Sequence, residues 1–150
     1  MRERVRAAAF AACVGLFIFA CIWADTAGAT TWHQTGASTF GQPCDPGEIV
    51  GYHGDPIAQR PDGTYPNPLI FAELGMGTAL GGLHYAQRIR VKDPVSRRSI
   101  TLRKLDIGLG GSAIAGLRRG LDVLWPALRR LLKGRASCSW TGRLWWRVLK

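Results

Sequence analysis

The chain has 150 residues, with 20 Lys+Arg against 10 Asp+Glu, a formal net charge of +10 and 47% hydrophobic residues. That length supports one modest core and argues against a second independent domain. The positive excess favours anionic partners through long-range attraction, and no nucleic-acid recognition motif accompanies it.

Met1-Arg-Glu-Arg-Val-Arg6 is a basic opening, Ala7 to Ala24 is apolar, and Ala27-Gly28-Ala29 is an A-x-A site. Together they form the pattern of a secretory signal peptide cleaved after Ala29. Two alternatives stay open: an uncleaved anchor, since the apolar run approaches a bilayer span, and lipidation at Cys21. Removing Arg2, Arg4, Arg6, Glu3 and Asp25 leaves 17 Lys+Arg against 8 Asp+Glu, so the exported chain stays strongly basic. Outside the cytoplasm its expected partners are cell-wall glycans and other anionic envelope polymers, with no nucleic acid. Cys13 and Cys21 fall within the signal, leaving Cys44 and Cys138. In an oxidising compartment these two thiols can pair, although spacing alone does not show that they face each other. No Cys/His cluster has zinc-site spacing, so no metal or cofactor is expected. His33, His53 and His84 read as surface or loop residues.

Beyond Ala29, glycine and proline punctuate the chain every few residues, which predicts short strands and tight turns. The expected strands are Thr35–Phe40, Glu48–Tyr52, Leu69–Glu73, Gln87–Lys92 and Ser99–Leu105. Arg60-Pro-Asp-Gly-Thr-Tyr-Pro-Asn-Pro68 holds three prolines and a Pro-Asp-Gly turn, so it reads as an excursion loop. Arg88-Ile-Arg-Val-Lys92 alternates charged and aliphatic residues, giving a strand one wet and one buried face. Asp93-Pro94 breaks it before a hairpin at Ser96-Arg97-Arg98. In Arg103-Lys-Leu-Asp-Ile-Gly-Leu-Gly-Gly111 a half-apolar strand delivers one acid into a glycine-rich bend. From Leu121 the residues Leu124, Trp125, Leu128, Leu131 and Leu132 fall at helical spacing. Asp122 stands where an acid can cap the helix, and Pro126 fits if the regular helix starts near it. Gly134 can end it. The tail Arg143–Lys150 places Leu144, Trp146 and Val148 on one side of a candidate closing strand.

Four stretches in this order resemble the RlpA-like double-psi β-barrel family, related to expansins and to the barrels of some lytic transglycosylases. They are Gly36-Ala-Ser-Thr-Phe-Gly41, Leu83–Val91, Arg103–Gly111 and Leu121-Asp-Val-Leu-Trp125, and they span roughly residues 35–132. The resemblance implies a mainly β fold: a six-stranded double-psi barrel with one short C-terminal helix, preceded here by an N-terminal signal helix. The expected organisation is a signal peptide at 1–29, a barrel domain at 30–134 and a basic, Trp-rich tail at 135–150 that can supply the closing strand. It also implies an open groove for a glycan strand, with Asp106 and Asp122 at the positions of the family's two groove acids.

Glycan cleavage needs a carboxyl group able to protonate the bridging oxygen, and burial or a neighbouring carboxylate keeps it protonated near neutral pH. A lytic transglycosylase can work with a single acid/base, whereas an inverting hydrolase needs a second carboxylate at the right separation. Asp106 and Asp122 are the catalytic candidates; Asp45 and Glu48 match no motif of the family. The structural alternative has Asp106 accepting amides of the glycine bend and Asp122 capping the helix. Expansin-like members of the resembling family keep the acids and bind or loosen polysaccharide without cleaving it. Phe40, Tyr52, Glu73 and Tyr85 are the substrate-binding candidates, with Tyr52 and Tyr85 preferred because each adjoins a histidine and a glycine-rich bend. The expected function is therefore binding or remodelling of cell-wall polysaccharide such as peptidoglycan, with glycan cleavage left open. The rival is a non-catalytic envelope or membrane-surface protein that binds through its basic tail, Arg129–Lys150.

Overall fold

The computed structural model describes residues 31–150. The expected signal segment, 1–29, and its helix lie outside the described residues. Six strands form: β1 (His33–Phe40), β2 (Ile70–Glu73), β3 (Arg88–Lys92), β4 (Ser99–Ile107), β5 (Arg119–Leu124) and β6 (Gly142–Val148). They close into a barrel in the order β1-β5-β2-β4-β3-β6. β1 runs parallel to β5 and β2 parallel to β4, while β5 and β2 meet antiparallel between these pairs. β3 and β6 complete the ring through antiparallel ladders. This arrangement fits the double-psi barrel, and closure leaves no unpaired sheet edge.

Alternation decides which side chains enter the barrel. On β3, Ile89 and Val91 are fully buried while Arg88 is exposed, as the charge pattern predicts. One core cluster draws Ala37, Phe71, Val91, Leu102, Val123 and Leu144 from six different strands. Helix α1 (Trp125–Leu132) adds Leu128, Leu131 and Leu132, and Arg129 and Arg130 stay outside. Full burial of each leucine contributes about 1.5–3 kcal/mol.

Two local expectations are corrected. Glu48–Tyr52 is not a strand: only a bridge between Val50 and Pro56 forms, because a tight turn closes from the Gly51 amide to the Asp55 carbonyl. Leu121 and Asp122 belong to β5 rather than to the helix, which starts at Trp125 with Pro126 in its first turn and has no side-chain cap. The apolar spacing counted as helical therefore spans a strand and a helix that follow one another directly. The closing strand expected in the tail does form: β6 pairs with β1 and β3, so residues 142–148 are part of the barrel wall.

The long segment 41–69 covers one side of the barrel. Beneath it a second apolar cluster forms from Phe40, Ile57, Ile70, Ala72, Leu105 and Leu124. Its start is tied to the loop after α1 by a disulfide, Cys44–Cys138.

Candidate functional site

β2 runs between β4 and β5, and Ala72 is the Cα partner of both Asp106 and Asp122. The two acids thus flank one small residue from strands two spacings apart, about 9–10 Å. Asp122 is held by its neighbour on β1: Ser38 Oγ donates to Asp122 Oδ1 at 2.6 Å. Arg119 Nε donates to the same Ser38 oxygen at 2.7 Å, and its Nη2 approaches Asp122 Oδ2 at 3.4 Å. Asp106 Oδ1 accepts the amides of Tyr52 at 2.7 Å and Ile107 at 2.9 Å. The amide-accepting role is thus real for Asp106, with one amide coming from the 41–69 segment, and the helix-capping role for Asp122 is replaced by Ser38 and Arg119.

Gly51 makes the Tyr52 contact sterically open. A Cβ there would stand 2.6 Å from the Leu105 carbonyl oxygen, so any side chain would push the loop off β4. The same loop brings Glu48 toward the two aspartates. Its Oε2 is buried without a hydrogen-bond partner. Burial, then the charges of Asp106, Asp45 and Asp122, push the Glu48 carboxyl up to about 7. Burial also raises Asp106 against its two amide bonds, and raises Asp122 against Ser38 and Arg119. Negative charges brought together out of water disfavour one another's ionised forms.

Beside these acids stands an exposed aromatic row. His53 packs edge-on against Tyr52, centroids 5.1 Å apart, and lies 4.4 Å from the Tyr85 ring. Tyr85 Oη donates to Asp55 Oδ2 at 2.7 Å. Tyr52 is 64% and Tyr85 48% exposed, so both present ring area to water. Ring faces left in water beside polar groups suit the apolar faces of sugars.

The other two substrate-binding candidates lie elsewhere. Phe40 is buried in the second core cluster, because it lies on the face of β1 opposite Ala37, the face that segment 41–69 covers. Glu73 is completely buried, pairs with Lys104 Nζ at 2.6 Å and accepts the amides of Leu80, Gly82 and Leu83. It anchors the 80–83 turn and cannot touch a ligand. Among the described residues no group of three His, Cys, Asp or Glu side chains is placed to hold a metal ion.

Sequence reasoning left Glu48 without a motif and did not find Arg119, Asp55 or the role of His53. Arg119 stands three residues before Asp122, a spacing that in a regular strand puts the two on opposite faces, but a register shift makes Gly120 an extra residue in β5, so Arg119 and Asp122, the partners of Gly36 and Ser38, share a face.

Fold and site together define a closed six-stranded double-psi barrel with an open, acid-centred surface rimmed by aromatic rings. No protein-family model matches the chain, and no curated protein matches it in sequence. Among solved structures, apo expansin of Clavibacter michiganensis is similar over 80% of this chain, with a TM-score of 0.48 and 14% identity. The chain spans about half (51%) of that protein's length.

Proposed function

We propose that this protein binds and remodels a wall polysaccharide, holding one glycan strand across Tyr52, His53 and Tyr85 with its linkage over Asp106, Asp122 and Glu48. The observation that carries this reading is the exposed Tyr52–His53–Tyr85 row set directly against the acid cluster through the Tyr52–Asp106 bond. Sugar rings stack on such aromatics, and the carboxylates accept sugar hydroxyls. The family resemblance points to the same class of ligand and to an exported protein.

A second reading has its own observation. Glu48 combines an unpaired buried oxygen with a carboxyl that holds its proton near neutral pH. That is what a general acid for a glycosidic oxygen requires. In lytic cleavage of peptidoglycan Glu48 protonates the bridging oxygen as the C–O bond breaks. A hydroxyl of the same sugar then attacks the anomeric carbon and returns its proton to Glu48, so an anhydro end forms without water. Asp106 and Asp122 are already engaged as acceptors; here they raise the proton affinity of Glu48 and stabilise positive charge on the sugar.

The test is incubation with insoluble peptidoglycan and, separately, cellulose, followed by mass spectrometry of the soluble fraction and assay of the pellet for protein. Anhydro-ended fragments that disappear in Glu48→Gln support cleavage. Pelleting without fragments leaves binding and remodelling alone, and the absence of both pelleting and fragments contradicts both readings.

A further inference from the structure

The outward face of the sheet on the far side of the charge pattern is built of cations. β3 presents Arg88, Arg90 and Lys92 at every second residue, steps of about 7 Å. In the cross-strand register Arg88 faces Arg103, and Arg90 faces Arg147. Like charges placed directly opposite one another destabilise a sheet. Among the described residues, no carboxylate forms an ion pair with any of these five side chains. The acids are committed elsewhere: Glu73 to Lys104, Asp93 to Arg135, Asp122 to Arg119, Asp106 and Glu48 to the site above, Asp55 to Tyr85, and Asp45 and Asp62 to their own turns.

The cations are nevertheless held in place. Arg90 donates to the Ser99 and Thr101 hydroxyls at 3.0 and 3.2 Å. The Arg147 guanidinium lies 4.8 Å from the Trp32 ring centre, and Lys92 Nζ lies 5.8 and 5.5 Å from the rings of Trp32 and Trp145. Neutral hydroxyls and indoles orient a cation without cancelling its charge, so the face is pre-organised toward an external anion. We infer that this face of β3, β4 and β6 binds a carboxylate-bearing polysaccharide, with Arg90 and Arg147 at its centre.

Charge complementarity and the regular two-residue spacing select an extended polyanion over a small ion. The outward residues of β3 and the paired stretch of β4 include no aliphatic side chain that would enter a bilayer, which disfavours a lipid surface. The choice of a sugar polymer over nucleic acid rests on the proposed function of the aromatic row. Tyr85, in that row, lies close enough to Arg103 for the arginine's charge to act on it, so the face begins where the row ends.

The experiment uses the full chain with polygalacturonate as probe, its methyl ester as neutral control, and duplex DNA and anionic vesicles as competitors. Wild type is expected to bind polygalacturonate more tightly than the ester, by a margin that shrinks as salt is added. Arg90→Gln with Arg147→Gln should weaken binding about tenfold or more and lower the salt dependence by about the two charges removed. The exposed single variant Arg88→Gln, which disturbs no neutral partner, should weaken it in the same direction and serves if the double variant unfolds. The arginine variants should keep their binding to cellulose, which Tyr52→Ala with Tyr85→Ala is expected to lose, so failure of this inference and failure of the aromatic-row reading are read separately. Unaltered affinity in the arginine variants, or tighter binding of DNA or vesicles than of polygalacturonate, would overturn the inference.

Discussion

Replacing Glu48 by glutamine should change how stability depends on pH. The folded carboxyl titrates at about 7 and an unperturbed one at 4.5. A raised carboxyl means that the folded state binds the proton more tightly than the unfolded chain. Stability is therefore fully present below pH 4.5, falls as pH rises toward 7, and is level above that. At about 1.4 kcal/mol per pH unit the full difference is about 3 kcal/mol. Glu48 is only half-buried, and screening by water reduces this to about 1–2 kcal/mol. The assay is urea unfolding of wild type and Glu48→Gln from pH 4.5 to 8.5. The two proteins should be nearly equal at the acid end, with the variant more stable by that amount at the alkaline end. Asp106 and Asp122 titrate in both chains and largely cancel in the comparison. Parallel stability curves would refute the reasoning, and so would a gap that closes at high pH.

Further outcomes follow from other contacts. The Cys44–Cys138 bridge joins residues 94 apart. Chain-entropy reasoning puts its contribution at up to about 4–5 kcal/mol, so Cys44→Ser with Cys138→Ser should lower the thermal midpoint strongly; an unchanged midpoint contradicts this. Lys104→Met leaves the Glu73 carboxylate buried without its cation and should cost about 3–5 kcal/mol in denaturant unfolding. Gly51→Ala drives a methyl group into the Leu105 carbonyl and should free the Tyr52 amide from Asp106. Its glycan binding should fall further than its thermal midpoint, and a normal affinity would show that the loop position is unimportant.

The barrel was largely legible because its signals are local. Ile89 and Val91 alternate with cations, Asp93-Pro94 ends β3, and the strand through Arg103–Asp106 meets its glycine bend where the residues put it. The β5–α1 junction was not legible, since Leu121 and Leu124 satisfy a helical period while they pair as a strand with β1 and β2. The candidate site was half legible. Asp106, Asp122, Tyr52 and Tyr85 could be singled out by their neighbours in sequence. Phe40 and Glu73 looked equivalent to them, and burial alone, a property of the assembled barrel, removes both. Glu48 becomes interesting only when segment 41–69 folds over β4, a contact carried by Gly51 and by no sequence pattern. Arg90 facing Arg147 is likewise a matter of strand register, because β3 and β6 lie far apart in the chain.

The central claim is that the aromatic row beside the acids is a glycan surface. Equilibrium pelleting on purified insoluble peptidoglycan and cellulose, comparing wild type with Tyr52→Ala, Tyr85→Ala and the double variant, tests it most directly. Both rings are exposed, so the variants should unfold within a few degrees of wild type. Stacking contributes about 1 kcal/mol or more per ring. Each single variant should therefore bind several-fold more weakly to at least one of the two glycans, and the double variant should lose most binding. Binding to both glycans that is the same in all four proteins would contradict the account.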